Sequence, residues 1–495
     1  MNRPFRAQLA LLAAVTVSIT AASAQDDEPP RGLITKTDRA ADGYTLFTPL
    51  RGTDTHLIDM DGEIVHTWPS EWKPGQSVYL LPNGNLLRCC QAENDVFSGG
   101  GEGGRVVEID WEGNLRWEYV CSDEKRRQHH DCEPLPNGNV LMIAWEIKSH
   151  DRTLRHGRDP ELLEEGHFWP DYVMEVKPTL PKGGEIVWEW HTWDHLIQDR
   201  DPDLPNYGVV SERPERVDIN ADAFANRGPS GGDGGKMTPE EEKRLRELGY
   251  VGDKKPEERP GGRGRDDRRR RRGGRSDWMH TNGMSYNAEL DQIALSIHSL
   301  GEIWIIDHGT TTEQAKGPAG DLLYRWGNPA AWSAGPVEAR RLFGQHDVRW
   351  LKTEKGWNLT VFNNGRRRPD GDYSSIDELA LPWVGGRYVR DAGEPFGPET
   401  PTWSYTAPNK PDFFSSFISG AERQPNGNTV ICSGEKGRVF EVTEDGDIVW
   451  EWWCPIAGES GGGSGRARYG LFRASRVAKD HPALAGRRLA PRRSF

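Results

Sequence analysis

Apolar and polar residues alternate in short runs along most of this chain, and Asn-Gly or Asp-Gly pairs break the runs where a tight turn is needed. The clearest unit spans residues 424–452, QPNGNTVICSGEKGRVFEVTEDGDIVWEW, rich in the β-branched and aromatic residues that suit pleated, half-buried strands. Its opening element recurs as LPNGNLL from Leu81 to Leu87 and LPNGNVL from Leu135 to Leu141. Its closing element recurs as EIVHTW (63–68), NLRWEY (114–119), EIVWEW (185–190), DLLYRW (321–326), PTWSY (401–405) and DIVWEW (447–452). Repeats of roughly 40–50 residues with about four strands each are the signature of a β-propeller. The spacing therefore predicts an all-β chain with one blade per closing element, a six-bladed propeller over residues 25–455.

The pattern fails in three places. Residues 1–24 carry Arg3 and Arg6, an apolar run and an Ala-Ser-Ala end, the layout of a cleaved signal peptide, so a periplasmic or secreted location is expected. An insertion between blades three and four, residues 191–277, holds a short helix predicted from Thr238 to Leu248 and an Arg-rich low-complexity loop at 255–275. Residues 456–495 are read as an irregular tail.

Composition narrows the function. A net charge of −13 argues against a general nucleic-acid binder, and no segment after the leader is apolar and long enough for a membrane span. The 6 cysteines of an exported chain imply disulfides, with Cys121–Cys132 and Cys432–Cys454 as candidate pairs. The 20 tryptophans fall mostly in the repeats, where they pack blades.

Chemistry is sought where the repeats share geometry and differ in residue type. His130 and His280 occupy the same register before their turns, His346 a similar one, and Gln76 and Ser419 take the position in two other blades. These residues begin the strand that lines a propeller's channel. The second strand returns to the same mouth, bringing His298, Asn364 and Arg366 to face them. Imidazoles, an amide and guanidiniums suit an anion with tetrahedral oxygens, with Arg349 and Arg366 as candidate clamps. A histidine there has the pKa for nucleophilic or acid–base work.

The ordered motifs DWMHTN, YNAELDQIALSIHSLGEIWIIDHGTTTEQA, GDLLYRWGNP, LFGQHDVRW, VFNNG and SGAERQPNGNTVICSG resemble the bacterial aryl-sulfate sulfotransferase family. The resemblance implies a six-bladed propeller and transfer of a sulfuryl group from a phenolic sulfate ester to a phenolic acceptor. It also implies a sulfated histidine, with neither nucleotide donor nor cofactor. His280 and Asn282 match the family's H-x-N segment, His346 its Q-H segment, and Arg366 its sulfate-binding arginine. His130, His280 and His346 are thus the catalytic candidates, and Asn282, Arg349, Asn364, Arg366 and His298 the substrate-binding ones, with no metal ligand assigned. One departure stands: the family's late-propeller histidine has no counterpart, since none occurs between His346 and His481 and Ser419 holds that blade position. Two other readings of the same residues are a metal-dependent enzyme with a histidine cluster on the axis and a non-catalytic propeller that binds sulfated or anionic ligands.

Overall fold

The computed structural model describes residues 30–163, 167–221, 276–458 and 469–491. The leader, the helix expected at 238–248 and the Arg-rich loop lie outside the described residues. Six antiparallel sheets make the six blades, and the closing elements named above are the outer strands: Ile64–Trp68, Leu115–Val120, Gly184–His191, Tyr324–Trp326, Trp403–Tyr405 and Ile448–Trp453. The innermost strands of consecutive blades pack against one another around the axis. Among the described residues no helix is long and apolar enough to cross a membrane.

The repeated PNGN turn works the same way in each copy. Gly84, Gly138 and Gly427 all take φ near +90°, between 85° and 90°, a left-handed conformation open to glycine at no steric cost. The second asparagine then reaches a glutamate on the third strand: Asn85 to Glu108 at 2.5 Å, Asn139 to Glu175 at 2.5 Å and Asn428 to Glu441 at 2.7 Å. The recurring glutamate thus ties the first turn of each blade to its middle.

Blades are joined by apolar seams and by indoles. Six buried clusters lie at the interfaces, each drawing side chains from two neighbouring blades. Tryptophans of the outer strands donate across those seams: Trp117 to Gly183 O (2.7 Å), Trp190 to Gly320 O (2.6 Å), Trp326 to Pro398 O (2.8 Å) and Trp450 to Met60 O (3.0 Å). An indole N–H is a donor that must find a partner when buried, so each tryptophan both fills a seam and fixes the next blade's position.

Two corrections follow. The tail expected to be irregular contains the strand Leu471–Ala478, which pairs with Gly43–Pro49 and becomes the innermost strand of the first blade. At the other end Gly32–Lys36 adds a fifth strand outside Ile448–Trp453. The two terminal strands therefore close the ring, and Leu471–Ala478 covers the edge that Gly43–Pro49 would otherwise present to the axis. The expected disulfides are absent: all 6 cysteines are buried free thiols. Cys132 lies beside Cys89 rather than Cys121, with Ser77 Oγ 3.3 Å from Cys89 Sγ and 3.9 Å from Cys132 Sγ. Burial pushes the Cys121 and Cys454 thiols up to about 11 and about 12.

Candidate active site

Left-handed residues mark the mouth of the channel. Gln76, His130, His280 and Ser419 have φ of 96°, 54°, 52° and 90°, so a positive-φ residue stands in or just before the inner strand of four blades, and His130 and His280 share one left-handed conformation. In blade five the left-handed residue is Asp347 (φ 50°), and His346 sits one place earlier. That shift gives His346 a different role from the other two.

Four imidazoles form an arc: His130 and His280 have ring centroids 4.5 Å apart, His280 and His298 5.2 Å, His298 and His346 5.3 Å. The histidines on distant strands do converge at one mouth.

Their accessibility differs. His130 is wholly buried, its backbone N–H bonded to Gly101 O at 2.9 Å and its Nδ1 2.8 Å from His129 Nδ1. A Cβ on Gly101 would lie 2.1 Å from His130 Cε1, so the glycine-rich stretch Ser98 to Gly104 rests directly on this ring. Burial, then the neighbouring imidazoles, hold His130 well below its ordinary pKa.

His346 is also wholly buried, and its ring is fully engaged. Ile418 N–H donates to Nε2 at 3.1 Å, so Nδ1 carries the proton and donates to Asn364 Oδ1 at 2.8 Å. Asn364 is fixed in turn by its Nδ2 bonds to Ser415 O (2.8 Å) and Ile418 O (2.9 Å). Burial outweighs the Asn364 hydrogen bond and lowers the His346 pKa to about 3. His346 is a neutral ring without a lone pair for attack.

His280 and His298 are the half-buried pair. His280 keeps 14% of its side chain accessible and sits 2.5 Å by Nδ1 from Asp277 Oδ2; Trp145 Nε1 donates to the other carboxylate oxygen at 3.0 Å. Burial by itself would raise the Asp277 carboxyl, but the His280 charge and hydrogen bond prevail and hold it below its usual range. An ionised Asp277 accepts from Nδ1–H, which leaves the lone pair of His280 on Nε2. Burial, then the neighbouring His280 and His346 rings and the Arg340 and Arg366 guanidiniums, keep His298 well below its ordinary pKa and therefore neutral.

The remaining expected residues divide. Arg366 is half-buried and its charge bears on His298. Asn364 orients His346 instead of meeting a ligand. Asn282 is wholly buried, with Nδ2 donating to Gln345 O at 2.8 Å, so it joins inner strands of neighbouring blades. Arg349 Nε donates to Asp347 Oδ1 at 2.8 Å, and an internal carboxylate holds the expected clamp.

Three contributors had weaker signals. Asp277 lies in the motif DWMH, where its spacing from His280 is a visible but unspecific D-x-x-H. Arg340 sits in an irregular stretch before blade five. Arg473 arrives on the closing strand, where nothing local marks it: Nη1 donates to Asp131 Oδ2 at 2.6 Å and Nη2 to Asn282 O at 3.1 Å, and Nε lies 3.0 Å from Asp347 Oδ1. Asp131 follows His130 and Asp347 follows His346, so one guanidinium ties together the strands that carry the histidines. Among the described residues no group of three or more His, Cys, Asp or Glu is placed to hold a metal ion.

Comparison with known proteins turns on one match. The model of the arylsulfotransferase (ASST) family fits residues 36–451, almost the whole ring. The chain belongs to the arylsulfotransferase family. Within that family it is similar to the arylsulfate sulfotransferase AssT of Lelliottia amnigena, 28% identical over 192 residues. That match spans 34% of this chain and 30% of the relative's length. Among solved structures, a Bacteroides caccae protein of unknown function covers 88% of this chain and 98% of its own at 13% identity, TM-score 0.41. Virginiamycin B lyase of Staphylococcus aureus covers 88% of this chain and 87% of its own at 11% identity, TM-score 0.35. In this member of the family the candidate site sits at one end of the axis, framed by the Asp277–His280 pair, His298, Arg340 and Arg366.

Proposed function

We propose that this chain transfers a sulfuryl group from a phenolic sulfate ester to a phenol, with His280 as the nucleophile. The observation that carries this reading is the contrast within the arc: of its four histidines, His280 alone combines an accessible edge with a carboxylate on its Nδ1. Family membership supports the reaction class.

The steps balance without a further reagent. His280 Nε2 attacks sulfur in line, the N–S bond forms, the S–O bond to the aryl oxygen breaks, and the phenolate leaves with the electron pair. The sulfated ring becomes an imidazolium whose positive charge Asp277 offsets through Nδ1–H. Arg366 faces the negative charge on the sulfuryl oxygens. In the second half the acceptor phenol attacks the same sulfur and releases neutral His280. Its proton passes to the departed phenolate, and neutral His298 is the base beside the reacting atoms. His130 and His346 hold the wall on either side of this pair.

Turnover of para-nitrophenyl sulfate with phenol as acceptor tests the reading. The native chain is expected to release nitrophenolate in proportion to phenyl sulfate formed, and His280→Ala to lose both while keeping its circular dichroism. Unchanged turnover in that variant contradicts the assignment.

A further inference from the structure

Among the described residues no carboxylate pairs with Arg340, a cation close enough to bear on His298. Arg340 Nε donates to Leu342 O at 2.6 Å, and burial lowers its pKa to about 10. The side chain remains half-buried rather than sealed. It packs over the tight turn after His298: a Cβ on Gly301 would lie 2.9 Å from Arg340 Nε and 3.0 Å from Nη2, and Gly301 N–H donates to His298 O at 3.2 Å. The chain then leads back to the same histidine, since a Cβ on Gly344 would sit 3.4 Å from His298 Nε2. A guanidinium removed from bulk water without an anion is costly, and a site in which Arg340 and Arg366 both bear on His298 is suited to receive negative charge.

Next to it stands an aromatic ring that the apolar seams do not absorb. Phe343 is half-exposed, 5.2 Å from Arg340 Cζ and 5.7 Å from Arg368 Cζ. Its backbone is pinned to the loop that presents Arg366: Asn363 Oδ1 accepts from Phe343 N–H at 2.9 Å, and Gly365 N–H donates to Phe343 O at 2.9 Å. The ring is thus held beside Arg340 and Arg368, on a segment bonded to the loop that presents Arg366.

We propose that Arg340 and Phe343 form the donor subsite, in which Arg340 shares the sulfuryl oxygens of an aryl sulfate with Arg366 while Phe343 carries the aromatic ring. The inference rests on the sulfuryl-transfer reading for its substrate class. A planar guanidinium matches two oxygens of a tetrahedral anion, and an aryl guest stacks offset on a phenylalanine.

Binding separates the two contributions. Isothermal titration of the full chain uses inorganic sulfate, and titration of His280→Ala, which does not turn over, uses phenyl sulfate. Arg340→Gln is expected to weaken both ligands by about tenfold or more, and Phe343→Ala to weaken phenyl sulfate by about tenfold while leaving inorganic sulfate within about twofold. Arg340→Lys is expected to fall between the native residue and the glutamine, because it restores charge without the fork. Melting curves and circular dichroism confirm the fold of each variant. The inference is overturned if Arg340→Gln binds both ligands as its parent does, if Phe343→Ala weakens both alike, or if the parent proteins bind neither. If the parents bind but the native chain transfers nothing, sulfuryl transfer fails and the subsite stands.

Discussion

Arg473 Nη1 and Asp131 Oδ2 lie 2.6 Å apart, although 342 residues separate them in the chain. This buried pair joins the closing strand of the first blade to the strand that carries His130, and through Asp347 and Asn282 O to the strands of His346 and His280. The chemistry at the mouth is therefore held from beneath by the last strand to join the ring.

Removing the guanidinium alone leaves the buried Asp131 carboxylate without a cation, while Asp347 keeps Arg349. Arg473→Met is expected to lower stability by about 3–5 kcal/mol, and adding Asp131→Asn to recover part of it. Urea unfolding of the single and double variants measures both. Equal stability of Arg473→Met and the native chain contradicts the pairing.

Asp277 fixes the tautomer of His280 and offsets the charge it gains. Asp277→Asn keeps the size and the Trp145 contact but not the negative charge. Turnover of an aryl sulfate is expected to fall by roughly 10²–10⁴ with little change in KM, because the loss lies in the chemical step. A change confined to KM contradicts that role.

Gly101 has φ of +76° and lies against the His130 ring. Gly101→Ala adds a methyl where a Cβ meets Cε1 at 2.1 Å, and the left-handed backbone adds roughly 1–2 kcal/mol of strain. The loop Ser98 to Gly104 is expected to lift from the mouth, with turnover reduced and the far-ultraviolet circular dichroism kept. A variant with native turnover shows that this contact does not position His130.

Buried neutral histidines set the acid limit of stability. Burial lowers His346 to about 3 and, with Asp54 and Arg88 as opposing minor influences, His56 to about 4. Below the ordinary pKa of 6.5 the unfolded chain binds protons that these rings refuse, so unfolding binds protons and stability falls with pH. The stabilisation is complete above that value and drains as pH drops toward 4, by roughly 1.4 kcal/mol per pH unit for each ring. Melting temperature followed from pH 7 to pH 4 checks the slope, and His56→Gln is expected to flatten it.

The blades were legible because their signals are local. A period of two and a tryptophan at the outer strand repeat within each unit, an asparagine-glycine turn in three of them, and the left-handed turns at His130 and His280 follow the same register. Long-range partners were not legible. The strand Leu471–Ala478 pairs with Gly43–Pro49 across the whole chain, so no neighbouring turn or closing motif announces it, and Arg473 was hidden with it. Histidine type gave position but not role: the Ile418 N–H, from the next blade, occupies the lone pair that would have made His346 a nucleophile. Asn282 and Arg349 were expected at a ligand because polar residues near a histidine read the same whether they face the funnel or the inner strands.

The most direct test is mass spectrometry of the full chain after brief incubation with an aryl sulfate and no acceptor, followed by peptide mapping. A single added sulfuryl group on the peptide containing His280, discharged when phenol is supplied, is the expected result. A sulfuryl group on another histidine peptide, or an unmodified chain that still turns over, contradicts His280 as the residue that carries it.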